Sequence, residues 1–210
     1  YFRLDIPWYA DDSAGFGASR ADQEDKVIAG NTFDYPAIHG AALMESGYSF
    51  VSASVAAVEN GSVDMKQYKL ADLILGKQKE TQIGRGEVAN RFLAFTAPLQ
   101  KAIADYTANG GSILVSGSYV ATDIWDKTNP DEASKEFAKQ TLGYQWRVGQ
   151  ATIEGKAHTV PTYFDSFGDL NVEYYTTLND KFYAVESPDG IYPADKTKGC
   201  TLMRYGENNI

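Results

Sequence analysis

A chain of 210 residues with 43% hydrophobic and 22% charged residues has enough apolar content for a folded core, which excludes a disordered chain. Its 28 Asp and Glu against 19 Lys and Arg leave a net charge of −9, so phosphate backbones and anionic lipid surfaces are repelled and nucleic acid is a poor partner. No apolar run approaches the roughly 20 residues of a membrane-spanning helix.

Residues 1–30 read as loop, turn-rich from Trp8 to Gly17, with a short polar helix over 21–28. Pro36 suits the first turn of a helix running to about residue 46, with Asp34 or Tyr35 as its cap and Gly47 as its stop. Residues 48–52 and 70–75 read as strands, the second closed by Gly76. Thr96 caps a further helix whose apolar positions Leu99, Ala102, Ile103 and Tyr106 follow i, i+3, i+4, i+7 spacing, and Gly110-Gly111 ends it. The apolar run 112–116 then predicts a strand buried on both faces, bending into a helix at Gly117-Ser118-Tyr119. Strands separated by helices are the pattern of a parallel sheet with helices on both faces. A helix over 131–142 follows. Beyond Gly143 the apolar period falls to two: Tyr144, Trp146 and Val148 alternate with polar residues, residues 174–178 and 182–186 form a hairpin around Asn179-Asp180, and 202–205 is the last strand. With no linker and no repeat, residues 1–210 read as one domain, α/β with a β-rich C-terminal part.

Cys200 is the only cysteine, which excludes an intramolecular disulfide and the usual thiolate zinc sites. In the apolar run Cys200-Thr201-Leu202-Met203 it reads as a small buried hydrophobe. Asp11, Asp12, Asp22, Glu24 and Asp25 could gather a Ca²⁺ ion, but they do not match a calcium-loop pattern, and a solvated acidic loop accounts for them. No motif requires a metal or a cofactor.

Two sets of segments each carry a resemblance. Ala71-Asp72-Leu73-Ile74-Leu75-Gly76 followed by a helix and Gly110-Gly111-Ser112-Ile113-Leu114-Val115-Ser116-Gly117 resembles the class I glutamine amidotransferase-like group of flavodoxin-type folds. Ala29-Gly30-Asn31-Thr32-Phe33-Asp34-Tyr35-Pro36 with Ile38-His39-Gly40, and residues 68–78, resemble secreted bacterial multidomain proteins labelled xanthan lyase or N-acetylmuramoyl-L-alanine amidase, often carrying a golvesin-like module. The likeness runs over residues 8–209. It implies a flavodoxin-like three-layer α/β/α domain with a mostly parallel sheet, cut from a longer multidomain protein, its first strand before Tyr1 and its last after Ile210. It further implies a secreted, periplasmic or cell-surface location, a polysaccharide or peptidoglycan ligand, and neighbouring domains of the same polypeptide as partners.

The amidotransferase reaction itself is not expected. It needs a cysteine at the glycine-flanked elbow, where Ser118 and Tyr119 stand, and a late His-x-Glu pair, where the sequence has His158-Thr159-Val160. Two readings of the elbow remain open. In one, Ser118 is a nucleophile with His39 as base and Asp34 or Asp123 as orienter, and the elbow N–H groups form an oxyanion hole. In the other, Ser118 caps or turns the chain, since Gly117-Ser118-Tyr119-Val120-Ala121 lacks the second glycine of a nucleophile elbow. A lyase acting on a uronate polymer would instead need a base and a cation, for which His39, Tyr35, Arg20 and Arg85 are the candidates. Tyr35, Tyr119, Trp125 and Asp123 are the candidate ligand contacts, aromatic faces being suited to the C–H side of sugar rings. The opposing reading is that such aromatics plug the open ends of the sheet. An enzyme of the cell envelope and a non-catalytic glycan-binding or scaffolding module both fit. Convergence of His39 and Ser118 favours the first, and their separation the second.

Overall fold

The computed structural model describes residues 34–83, 90–126, 131–160, 168–177, 185 and 187–206. It is a mixed α/β structure. The expected features within residues 1–33, together with Arg85, lie outside the described residues.

Helix α1, Asp34–Glu45, forms where a helix was expected, but it takes in Asp34 and Tyr35, so neither is its cap. Gly47 stops it at φ +83°. The Gly47 N–H donates to the Met44 carbonyl and the Tyr48 N–H to the Leu43 carbonyl, both at 3.0 Å, the paired bonds of a Schellman exit. The strand expected over 48–52 is not formed. A strand needs a neighbour for its backbone groups, whereas here Tyr48 is spent on the helix exit and Phe50 packs on Gly40 of α1. Ser54 then caps helix α2, Val55–Glu59, accepting the Ala57 N–H at 3.2 Å.

Strand β1, Leu70–Gly76, pairs in parallel with β4, Ser112–Gly117, with Leu70 opposite Ser112 and Ile74 opposite Ser116. Between them run the antiparallel pair β2, Thr81–Ile83, and β3, Asn90–Phe92, then helix α3, Ala97–Ala108. Thr96 caps α3 as its position predicted, and Leu99, Ile103 and Tyr106 form its buried stripe. At the helix exit Gly110 takes φ +87°, while Gly111 is needed for space: a Cβ there would lie 2.2 Å from the Tyr106 ring. That ring is 1% exposed, and its hydroxyl sits 3.1 Å from the carbonyl oxygens of Tyr68 and Ser112, tying α3 to the entry of both parallel strands.

The turn after β4 leads to a single helical turn, α4, Thr122–Trp125. The expected helix over 131–142 forms as α5, Glu132–Phe137, capped by Asp131, and continues as a π-helical turn, Ala138–Leu142, that ends at Gly143. Strand β5, Tyr144–Val148, follows, then β6, Lys156–Thr159, β7, Asn171–Glu173, β8, Gly190–Pro193, and β9, Met203–Tyr205. β5 pairs with β8, and β6 lies between β7 and β9, all antiparallel. The expected hairpin is met at one described point, the Val185 N–H donating to the Tyr175 carbonyl at 2.7 Å, and its turn lies outside the described residues.

The core is built from one side of the parallel pair. Leu75, Phe95, Leu99, Ile103, Ile124, Phe137 and Tyr144 are buried together, with Leu73, Ile113 and Val115 packed against them. Three expectations are corrected here. The sheet is not mostly parallel among the described residues, because the β-rich C-terminal part pairs antiparallel in small separate sheets. β4 is not buried on both faces either: Leu114 is 53% exposed and Leu70 on β1 52%, since α1 on their side of the sheet leaves these positions open. Cys200 is exposed rather than buried, because the chain turns at Asp195 to Lys198 and β9 begins only at Met203.

Candidate functional site

The elbow sits at the carboxyl ends of β1 and β4, the place where open α/β sheets bind ligands. Its groups are largely committed to one another. The Ser118 N–H donates to the Gly76 carbonyl at 2.8 Å, and the Ser118 carbonyl accepts the Asp189 N–H at 2.8 Å. Tyr119 is buried, with the Lys79 ammonium 4.9 Å from its ring centre. The chain makes a turn before α4, so Ser118 does not stand at the start of a long helix whose dipole would activate a nucleophile.

Two carboxylates hold this corner. Asp123, named from the sequence as an orienter or ligand contact, accepts the Glu80 N–H at 2.7 Å on one oxygen and the Ala94 N–H at 2.8 Å on the other. It joins the segments after β1 and before α3. Asp189 accepts the Ala121 and Thr122 N–H groups on Oδ2, both at 2.8 Å. Its Oδ1 accepts the Thr122 hydroxyl at 2.8 Å and the Trp146 indole N–H at 3.1 Å. Burial raises the Asp189 carboxyl above its ordinary value, outweighing these bonds from Ala121, Thr122 and Trp146, which pull it down. The Tyr205 hydroxyl donates to the Asp189 carbonyl at 3.3 Å, and the Tyr144 hydroxyl to the Val120 carbonyl. Burial, then the Asp189 charge, raise the hydroxyl pKa values of Tyr144 and Tyr205. Trp125 packs on Tyr144 with ring centres 5.9 Å apart.

His39 lies elsewhere. Its Nδ1 is 2.7 Å from Oδ2 of Asp72, with side-chain exposures of 29% and 16%. Asp72 alternates with the core-facing Leu73 and so lies on the α1 side of β1. From Asp72 to Gly76, whose carbonyl holds Ser118, the strand runs about 13 Å at roughly 3.3 Å per residue. The structure therefore joins His39 to Asp72 and not to Ser118 or Asp123. The side chain of Asp34 lies outside the described residues, and Tyr35 is half-buried one helical turn before His39. Asp72 is the residue that sequence reasoning missed. A lone carboxylate in the apolar run 70–75 was the available signal, since a strand buries such a group only against a partner.

A cleft of about 590 Å³ opens between α3, α4 and α5, floored by Phe95, Ile124 and Phe137. Gln100 spans it, donating to the Phe95 carbonyl at 3.1 Å and the Ser134 hydroxyl at 2.9 Å. Among the described residues no group of three or more His, Cys, Asp or Glu is placed to hold a metal ion, and no helix is long and apolar enough to cross a membrane.

Scanned against protein-family models, the chain matches none. Searches of curated proteins and of solved structures find no match either.

Proposed function

We propose that this chain is a non-catalytic module of a secreted or cell-envelope protein that handles polysaccharide or peptidoglycan, binding glycan or holding its neighbouring domains in place. The sequence resemblance to the proteins labelled xanthan lyase or N-acetylmuramoyl-L-alanine amidase supplies the setting, and with it a flavodoxin-like layered scaffold without glutaminase chemistry. The observation that carries the non-catalytic reading is the separation of His39, bonded to Asp72, from Ser118 at the other end of β1. A serine becomes a nucleophile when an imidazole within hydrogen-bond reach takes its proton. Here the imidazole is engaged elsewhere, and both Asp123 oxygens are filled by backbone N–H groups.

The test is a combined binding and turnover screen with uronic-acid oligosaccharides and muropeptides. Binding without product is expected. Product formed by the wild type and lost in Ser118→Ala or His39→Ala would replace this reading with the serine-hydrolase or lyase alternative.

A further inference from the structure

Helices α1 and α3 have the same length, 12 residues, but are held to the parallel pair in different ways. α3 buries Leu99, Ile103 and Tyr106. Of α1, only Gly40 is buried among the described residues, while Tyr35, His39 and Leu43 are half-buried. Its apolar side chains form no stripe: at about 100° per residue Ile38, Leu43 and Met44 fall on different sides of the helix. Ile38 and Met44 are 59% and 66% exposed. Apolar burial therefore does little to seat α1, and its described side-chain bond to β1 is polar, Nδ1 of His39 lying 2.7 Å from Oδ2 of Asp72. The chain leaving the helix follows the helix rather than the sheet. Residues 46–54 are exposed, and Phe50 packs back on Gly40, where a Cβ would come within 2.6 Å of its ring. The docked state also carries a cost at the same point. Oδ1 of Asp72 is buried with no hydrogen-bond partner among the described residues, and a carboxylate oxygen kept from water without a donor is destabilising. Lifting α1 would hydrate that oxygen, so it works against the bond beside it.

We infer that α1 is a cover on the second face of the parallel pair that opens by itself while the α3 side stays folded, with the His39–Asp72 bond as its catch. Elements with few buried apolar contacts open locally at lower free energy than the core. A helix this short is marginal in water once undocked, so opening also frays its backbone hydrogen bonds. What the open state adds to the surface is Asp72, whose side chain is 16% exposed when α1 is docked. It emerges beside its cross-strand neighbour Leu114, which is already half exposed.

The experiment is native-state hydrogen exchange on the 210-residue chain, read by NMR at the amides of Ala41 and Ala42 in α1 and of Ile103 and Tyr106 in α3. In the wild type the α1 amides are expected to exchange about tenfold faster or more, after correction for intrinsic rates. His39→Ala should speed them by about a further fivefold, as for the loss of one hydrogen bond. Gly111→Ala, which strains the α3 side against the Tyr106 ring, should speed the α3 amides about fivefold or more and leave the α1 amides within about twofold of wild type. Exchange through a separate opening requires that difference, because a shared global opening would speed both helices together. Wild-type α1 amides as protected as those of α3, or α1 amides sped equally by Gly111→Ala, would overturn the cover. Unchanged α1 exchange in His39→Ala would overturn the catch. The wild-type comparison needs no variant and stands whether or not the variants fold.

Discussion

The elbow and the α1 face are both built around a carboxylate, and they use it in opposite ways. At the elbow, Asp123 and Asp189 are buried and filled with backbone and indole donors, so the corner is tied shut. On α1, Asp72 makes one described side-chain bond, to an imidazole that stays part-exposed, and the surrounding apolar side chains face solvent. A site that looks catalytic from its place in an α/β fold is here the more saturated of the two. Free hydrogen-bonding capacity, more than position, marks where a ligand can add anything.

The largest expected effect breaks the elbow. Asp189→Ala would orphan two backbone N–H groups and an indole N–H, at roughly 1–3 kcal/mol each before relaxation, so a loss of about 3–5 kcal/mol is expected in urea unfolding. A loss below about 1 kcal/mol would remove Asp189 from this role. Next comes Gly111→Ala, which pushes a methyl into the buried Tyr106 ring and should cost about 1–3 kcal/mol, seen as a lowered Tm.

The third prediction concerns pH. Burial raises the folded-state Asp189 carboxyl above its ordinary value of 3.8, so between the two values the folded chain holds a proton that the unfolded chain has released. Its contribution is complete below 3.8 and lost as pH rises through the folded-state value. Wild-type stability minus that of Asp189→Asn should therefore fall with rising pH across this window, and a flat or rising difference would contradict the assignment. The smallest effects belong to the open face and the elbow hydroxyl. His39→Ala should cost about 1 kcal/mol, the loss of the one described side-chain hydrogen bond of Asp72, whose side chain is 16% exposed. Ser118→Ala should stay within about 0.5 kcal/mol of wild type, with glycan binding intact. A large loss of binding in Ser118→Ala would place the binding site at the elbow.

The local elements were legible because their causes are local. Thr96 and the Leu99, Ile103, Tyr106 stripe specify α3, Gly47 specifies the exit of α1, and the change from helical to alternating spacing after Gly143 marks the β-rich part. What depends on neighbours was read less well. Residues 48–52 carry a strand-like apolar pattern, but a strand exists only with a partner, and Phe50 found Gly40 instead. Cys200 looked buried by composition and is exposed, because the turn at Asp195 sets where β9 can begin.

For the site, the sequence determined the cast: few histidines, a serine elbow without its second glycine, and scattered carboxylates. Pairing was decided in three dimensions. His39 and Asp72 are 33 positions apart, and Thr122 and Asp189 are 67. Caps, turns and helical stripes follow from interactions within a turn or two of chain, which composition and spacing encode. Which carboxylate meets the imidazole, and which is consumed by backbone N–H groups, depends on how β1 packs under α1 and how the segment before β8 meets the elbow. That is set by tertiary packing alone.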